Sequence, residues 1–271
     1  MNGLAGEQEV GVRPGFGAVV ASEWIKLWAV RSTWHLLGVV LALTVGLSAV
    51  MAFFGSAGDL AAAQADGEYN VVLFSAGLGV WVYCYFGAAL VASEFGGTGY
   101  YTFVATPGRG RVLAAKALIV AACGPVLGSA IAVSAVLLTQ VGLTATGAVP
   151  LDLADPTLWR AALGYVVLSM TVQGVLAALV AVLVRNAIGA LGVVLLLLNA
   201  LPVMLAEFLG ETYRNSIPRF MPGAAVESVA GLSVPGSAGY LPTGVAATVL
   251  AAWVGIAWIA AHRRLATSDI R

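Results

Sequence analysis

Six apolar stretches, each about as long as a bilayer's hydrocarbon layer is thick, dominate the sequence between residues 34 and 261. They run from Trp34 to Phe54, Val71 to Ala92, Ala117 to Thr139, Ala161 to Val184, Ala187 to Ala206 and Val245 to Ala261. A helix rises ~1.5 Å per residue, so about 20 apolar residues bridge ~30 Å of hydrocarbon while pairing every backbone group within the segment. A water-soluble alternative fails on composition. Apolar residues make up 60% of the chain and charged residues 10%, against roughly a quarter charged in soluble domains. One packed core cannot hide that much apolar surface. The expected fold class is therefore an all-α integral membrane protein with six transmembrane helices.

Basic residues are retained on the cytoplasmic side of a membrane, and here they set the orientation. Arg13, Lys26 and Arg31 precede the first stretch, and Arg109, Arg111 and Lys116 lie between the second and third. Arg185 joins the fourth to the fifth, and Arg263, Arg264 and Arg271 follow the sixth. The opposite loops hold only Arg160, Arg214 and Arg219 of the thirteen basic residues. Both termini, a flexible segment 1–15 and a tail 262–271, are expected in the cytoplasm. The first thirty residues lack the short apolar core and cleavage site of a signal peptide, so the first spanning helix is expected to direct insertion.

Residues 16–33 form the pattern of an amphipathic helix lying in the membrane surface. Phe16, Val20, Trp24 and Leu27 fall at three- and four-residue spacing, with Ser22, Glu23 and Lys26 on another face. Trp24, Trp28 and Trp34 suit headgroup depth. Such a helix either anchors the first span or docks a cytoplasmic partner. The loop Ser93 to Lys116 is long and mixes Gly, aromatic and basic residues, as expected of a polar contact surface or of a solvated loop serving topology. On the other side, Glu207 to Thr243 includes "IPRFMPGAAVESVAGL", and short re-entrant or surface helices packed on the protein are expected there. Arg185 and Asn186 alone separate the fourth and fifth stretches, which requires a tight hairpin.

Reactive chemistry has little to work with. The apolar stretches contain no Asp or Glu, and no His and carboxylate pair has metal-ligand spacing. His35 and His262 sit at span ends, and the serines within spans have no nucleophile context, so an intramembrane hydrolase is the poorer alternative. Ion-coupled transporters keep ionisable groups at depth; here an uphill transporter would draw energy from a partner outside the bilayer. The sequence lacks a G-x-x-x-x-G-K-[ST] run, so nucleotide hydrolysis would belong to another polypeptide. The scattered basic residues form no patch for nucleic acid. Cys84 and Cys123 lie in apolar runs and read as small packing residues. Trp81, Tyr85, Gln173 and Asn199 could line a pathway, or fill gaps and hydrogen-bond between helices. Gly124 and Gly128 permit a close helix approach, and Pro125 and Pro202 are expected to kink their spans.

Taken together, a surface helix, a long basic loop after the second span, a tight four-five hairpin and a large segment before the sixth resemble an ABC-2-type ABC transporter permease. "SEWIKLWAVRSTW" resembles the segment leading into the first span of such permeases from GC-rich bacteria, and "RNAIGALG", Arg185 to Gly192, their start of the fifth span. Glu94, Gly97, Thr98, Pro107, Arg109, Arg111 and Lys116 fall where the family carries a glutamate, a glycine-threonine pair, a proline and basic residues. The doubled glycine at Gly96 and Gly97, and Gly108 before Arg109, depart from that pattern. The resemblance implies a permease subunit of an ATP-driven exporter in a bacterial plasma membrane. It would pair with a second permease chain, identical or related, and with cytoplasmic ATP-binding subunits that hold ATP and Mg; this chain would bind no cofactor. Glu23 and Lys26 on the surface helix, with the residues from Glu94 to Lys116, would then transmit ATP-driven closure. A non-transporting membrane component, for immunity or sensing, shares the composition and stays open as an alternative.

Overall fold

The structure, a computed structural model, describes residues 15–54, 70–96, 108–147, 149–201, 204, 208, 216–233, 235–237 and 239–267. These form eight α-helices and no strand: α1 (Phe16–Ala29), α2 (Arg31–Phe54), α3 (Asn70–Ala92), α4 (Arg109–Ala145), α5 (Pro156–Val184), α6 (Ala187–Leu195), α7 (Pro222–Ala230) and α8 (Thr243–Thr267). Five of them, α2, α3, α4, α5 and α8, are long and apolar enough to cross a membrane. By helix length and hydropathy the chain is a multi-pass membrane protein.

The fifth apolar stretch is described only in part. Its described apolar helix ends at Ala200, where α6 passes into a π-helical turn, Leu196–Ala200. Beyond it Leu201, Met204 and Phe208 are helical too. Six spans were expected, and five are found among the described residues. Pro202 lies outside them.

Local chemistry moves two helix starts outward from the apolar stretches. Asp155 caps α5 by accepting the Thr157 amide at 2.8 Å, and Pro156 takes the first helical position, where its missing N–H costs nothing. The helix thus begins five residues before Ala161. In the same way α4 begins at Arg109, so residues 109–116 are its first two turns rather than loop. Its 37 residues extend ~55 Å, more than the ~30 Å hydrocarbon layer, so part of the helix must stand beyond it. α4 continues through Pro125. The Tyr83 hydroxyl donates to the Val120 carbonyl, one residue before the carbonyl that Pro125 leaves without its helical donor. The surface helix is shorter than expected: it stops at Ala29, and Val30 is extended before α2 begins.

α5 is the centre of the bundle. It packs against α3, α4, α6, α7 and α8, and two-thirds (67%) of its apolar window is buried against 17% for α2 and α8. α4 and α5 meet through small residues. A Cβ on Gly124 would lie 3.0 Å from Thr171 Cα, and one on Gly128 would lie 2.9 Å from Val167 Cα. Those are backbone atoms that cannot give way, so only glycine permits this approach. On the opposite surfaces, Leu41 and Leu43 of α2 and Ile256 and Ile259 of α8 stay exposed, as side chains facing lipid would. α7 is the short helix expected before the last span, and it packs on α5 and α8. Ser228 fastens it by donating to the Gly239 carbonyl at 3.2 Å and accepting the Leu241 amide at 3.1 Å.

The tight hairpin is present. Arg185 adopts φ 57°, the left-handed region, and Asn186 caps α6 by accepting the Gly189 amide at 2.8 Å. Arg185 lies over the Phe95 ring at 5.7 Å, and His262 of α8 lies against Gly110 of α4. The end of α3, the start of α4, the end of α5 and the end of α8 therefore share one end of the bundle. Arg109, Arg111, Arg185, Arg263 and Arg264 are at or near these helix ends.

Candidate functional site

α1 lies at that same end, packed chiefly on α4. Its buried face is Val19, Glu23 and Leu27, spaced four apart. Phe16 and Trp24 are exposed, while Glu23, placed by periodicity among the polar residues, points into the protein with 3% exposure. The reason is a partner that helical periodicity cannot see. Lys116, two turns into α4, reaches Glu23 Oε2 at 2.8 Å and Glu94 Oε1 at 2.9 Å. Glu94 lies in a 3-10 turn, Ser93–Phe95, that extends α3. Lys26 adds a contact to Glu23 Oε1 at 2.6 Å from the rim, where its side chain is 47% exposed. Three elements distant in sequence are thus joined through one buried ammonium.

Electrostatics makes the node consequential. Burying a charge costs several kcal/mol unless excellent geometry compensates it. Burial alone would push the Glu23 carboxyl up; the hydrogen bonds and charges of Lys116 and Lys26 overcome that and hold it below its ordinary value. Glu94 is less complete. Its Oε1 meets Lys116, but its Oε2 is buried with no hydrogen-bond partner among the described residues.

Beside the node lies a cavity of about 440 Å³. Glu23, Lys26, Glu94 and Lys116 form its charged side, and Leu36, Tyr85, Phe86 and Leu90 form much of the rest. A second cavity of about 370 Å³, almost wholly apolar, opens beyond Leu27 and Thr33 between Trp24, Trp28, Trp34 and Val126. The three tryptophans touch in sequence, the first pair edge to face and the second tilted, with ring centroids 5.4 Å and 4.2 Å apart, and the Trp34 indole donates to the Trp28 carbonyl at 3.2 Å.

Of the residues that the sequence singled out, Glu23, Lys26, Glu94 and Lys116 come together. Arg109 and Arg111 stand in the first turn of α4, with Arg111 exposed. Gly97, Thr98 and Pro107 lie outside the described residues. The four candidate pathway residues are dispersed. Trp81 is 40% exposed on the outer surface of α3, and Tyr85 lines the larger cavity. Gln173 is buried in α5 and Asn199 sits in the π-helical turn, and neither Gln173 Oε1 nor Asn199 Nδ2 has a hydrogen-bond partner among the described residues. Cys84 and Cys123 are free thiols. Compared with known proteins, the chain matches no family model, no curated protein and no solved structure.

Proposed function

We propose that the chain is the membrane-spanning permease subunit of an ATP-driven exporter of the ABC-2 type. Two permease chains would form the substrate pathway in a bacterial plasma membrane with both termini cytoplasmic, and separate subunits would bind and hydrolyse ATP. The observation that carries this reading is the ionic node. A surface helix that receives force from outside the bilayer needs a stiff link to the spans, and the Glu23–Lys116–Glu94 contacts tie α1 to the ends of α3 and α4. The gathering of basic residues at the same end supports a cytoplasmic position for it. In this mechanism ATP-driven closure of the partner biases the helix bundle between two arrangements. Because Glu23, Glu94 and Lys116 are buried, their part is to hold α1 in place; exposed groups such as Trp28 and Arg111 are the ones a partner can touch.

The test is reconstitution. Affinity purification of the tagged chain from its native host should bring down an ATP-binding subunit, and vesicles holding both should couple ATP hydrolysis to efflux. Purified chain that hydrolyses ATP alone, or moves solute on an ion gradient alone, would refute the proposal.

A further inference from the structure

The smaller cavity is built for hydrocarbon. No charged side chain lines it; its polar groups are the Thr33 hydroxyl, the Cys123 thiol and three indoles, of which the Trp34 N–H is already given to the Trp28 carbonyl. A polar guest would shed water there for little in return. The cavity's wall on α2 runs from Thr33 to Leu41, ~12 Å at ~1.5 Å per residue, and α4 provides the facing wall from Ala122 to Leu127. Each leaflet holds about half of the ~30 Å hydrocarbon layer, so a groove of that length between two spans matches the depth of one leaflet's chains and runs beside them. Leu41 and Val126 on its edge are exposed, which makes it continuous with the surface that faces lipid. Small residues create the space. Gly38 lines the cavity, and a Cβ there would meet nothing within 4 Å, so no close helix approach requires this glycine as one does at Gly124 and Gly128. Glycine weakens a helix interior, and what its missing side chain leaves here is room. At ~30 Å³ for a water-sized group, the cavity of about 370 Å³ holds roughly twelve, the scale of much of an acyl chain. Left empty, the lining would forfeit its dispersion contacts on that side.

We infer that this cavity holds one acyl chain of a bilayer phospholipid, laid between Gly38 of α2 and Ala122 of α4 with the tryptophans of α1 at its headgroup end. The lipid thereby becomes part of the seat on which α1 rests. The inference rests on the membrane setting of the spans and stands apart from the transport proposal.

The full chain is reconstituted in phosphatidylcholine nanodiscs doped with a trace of phosphatidylcholine whose acyl chain carries a photoreactive diazirine. After irradiation, labelled peptides are quantified by mass spectrometry. α8 around Ile256 and Ile259 is equally exposed but lies outside the cavity, so it reports ordinary lipid contact. The expected result is labelling of residues 37–41 and 122–127 about tenfold above that of α8, a preference equivalent to ~1.4 kcal/mol. Gly38→Phe fills the cavity from a position with open space around it and should bring α2 and α4 down to the level of α8. Equal labelling of the three helices, or an excess that Gly38→Phe leaves in place, overturns the inference. So does a second copy in the cavity: with Cys84→Ala, Cys123 is the only thiol, and covalent dimers formed through it in high yield by a short bismaleimide would put another chain where the lipid belongs. The comparison among helices of the unaltered chain tests the inference even where a variant does not fold.

Discussion

Replacing Lys116 by Met removes the single cation that two buried carboxylates share. Glu23 keeps Lys26, but Glu94 loses the partner it holds at 2.9 Å. Breaking a buried ion pair from one side costs roughly 3–5 kcal/mol, because the remaining charge stays desolvated, and two carboxylates place this case toward the upper end. Lys26→Met provides the internal comparison. It removes one contact made by a half-exposed side chain, for which about 0–1 kcal/mol is expected. Unfolding in mixed micelles of increasing SDS fraction, followed by helical circular dichroism, measures both. The triple replacement Lys116→Met, Glu23→Gln, Glu94→Gln takes the charges away together and should return to within about 1 kcal/mol of the wild type, since a buried pair is close to break-even against neutral packing. The pH dependence has a fixed sign. The carboxyl of Glu23 is depressed below its ordinary 4.5, so its stabilisation is complete above that value and is lost as pH falls through the lower folded value. A Lys116→Met chain no less stable than Lys26→Met would refute the argument, as would a triple variant no better than the single.

Three further perturbations test the packing. Gly128→Leu should cost about 1–3 kcal/mol in the same assay, because its Cβ would lie 2.9 Å from Val167 Cα on a neighbouring backbone; a neutral result would mean that α4 and α5 are not so close. Asn186→Ala should cost about 1 kcal/mol by removing the cap on α6, with Asn186→Asp retaining it. Burial pushes the Glu227 carboxyl on α7 up, so its folded state holds a proton that the unfolded chain releases, and stability declines as pH rises from the unfolded value through the folded one. Glu227→Gln should remove that decline, read as a melting temperature that is flatter between pH 4 and 8.

The spans were legible because their requirement is one-dimensional: a count of consecutive apolar residues against a fixed thickness. α2, α3, α4, α5 and α8 follow from that count. So does the hairpin at Arg185 and Asn186, where two residues leave only a sharp reversal. Helix starts were read late wherever polar residues begin an apolar helix, as at Asp155 and Arg109. The burial of Glu23 on α1 was not legible for a different reason. Amphipathic periodicity sorts residues by their preference for water, and Glu23 is buried by a charge contributed from 93 residues away in the chain, at Lys116. The signal was present only as scarcity: with thirteen acidic residues in 271, a glutamate near each of two apolar segment ends is a charge that must find a partner.

Under the proposed permease function, the route by which α1 would act on the bundle can be separated from simple chain connection. α1 is continuous with α2 in sequence, yet it packs far more on α4, and Val30 between α1 and α2 is extended rather than helical. Such a joint bends easily, whereas the node is a set of contacts between 2.6 and 2.9 Å backed by buried Val19 and Leu27. A displacement of α1 should therefore travel through Lys116 into α4 and on to α5, the helix that touches most of the others. Val30→Gly loosens the joint and leaves the node intact; in a reconstituted complex it should keep efflux within about twofold of wild type. The neutral triple variant at Glu23, Glu94 and Lys116 keeps the fold but replaces the ion pairs, and it should retain ATP hydrolysis while losing most of its efflux. The opposite pattern, efflux lost with Val30→Gly and kept in the triple variant, would place the transmission in the covalent chain and leave the ionic node a purely structural one.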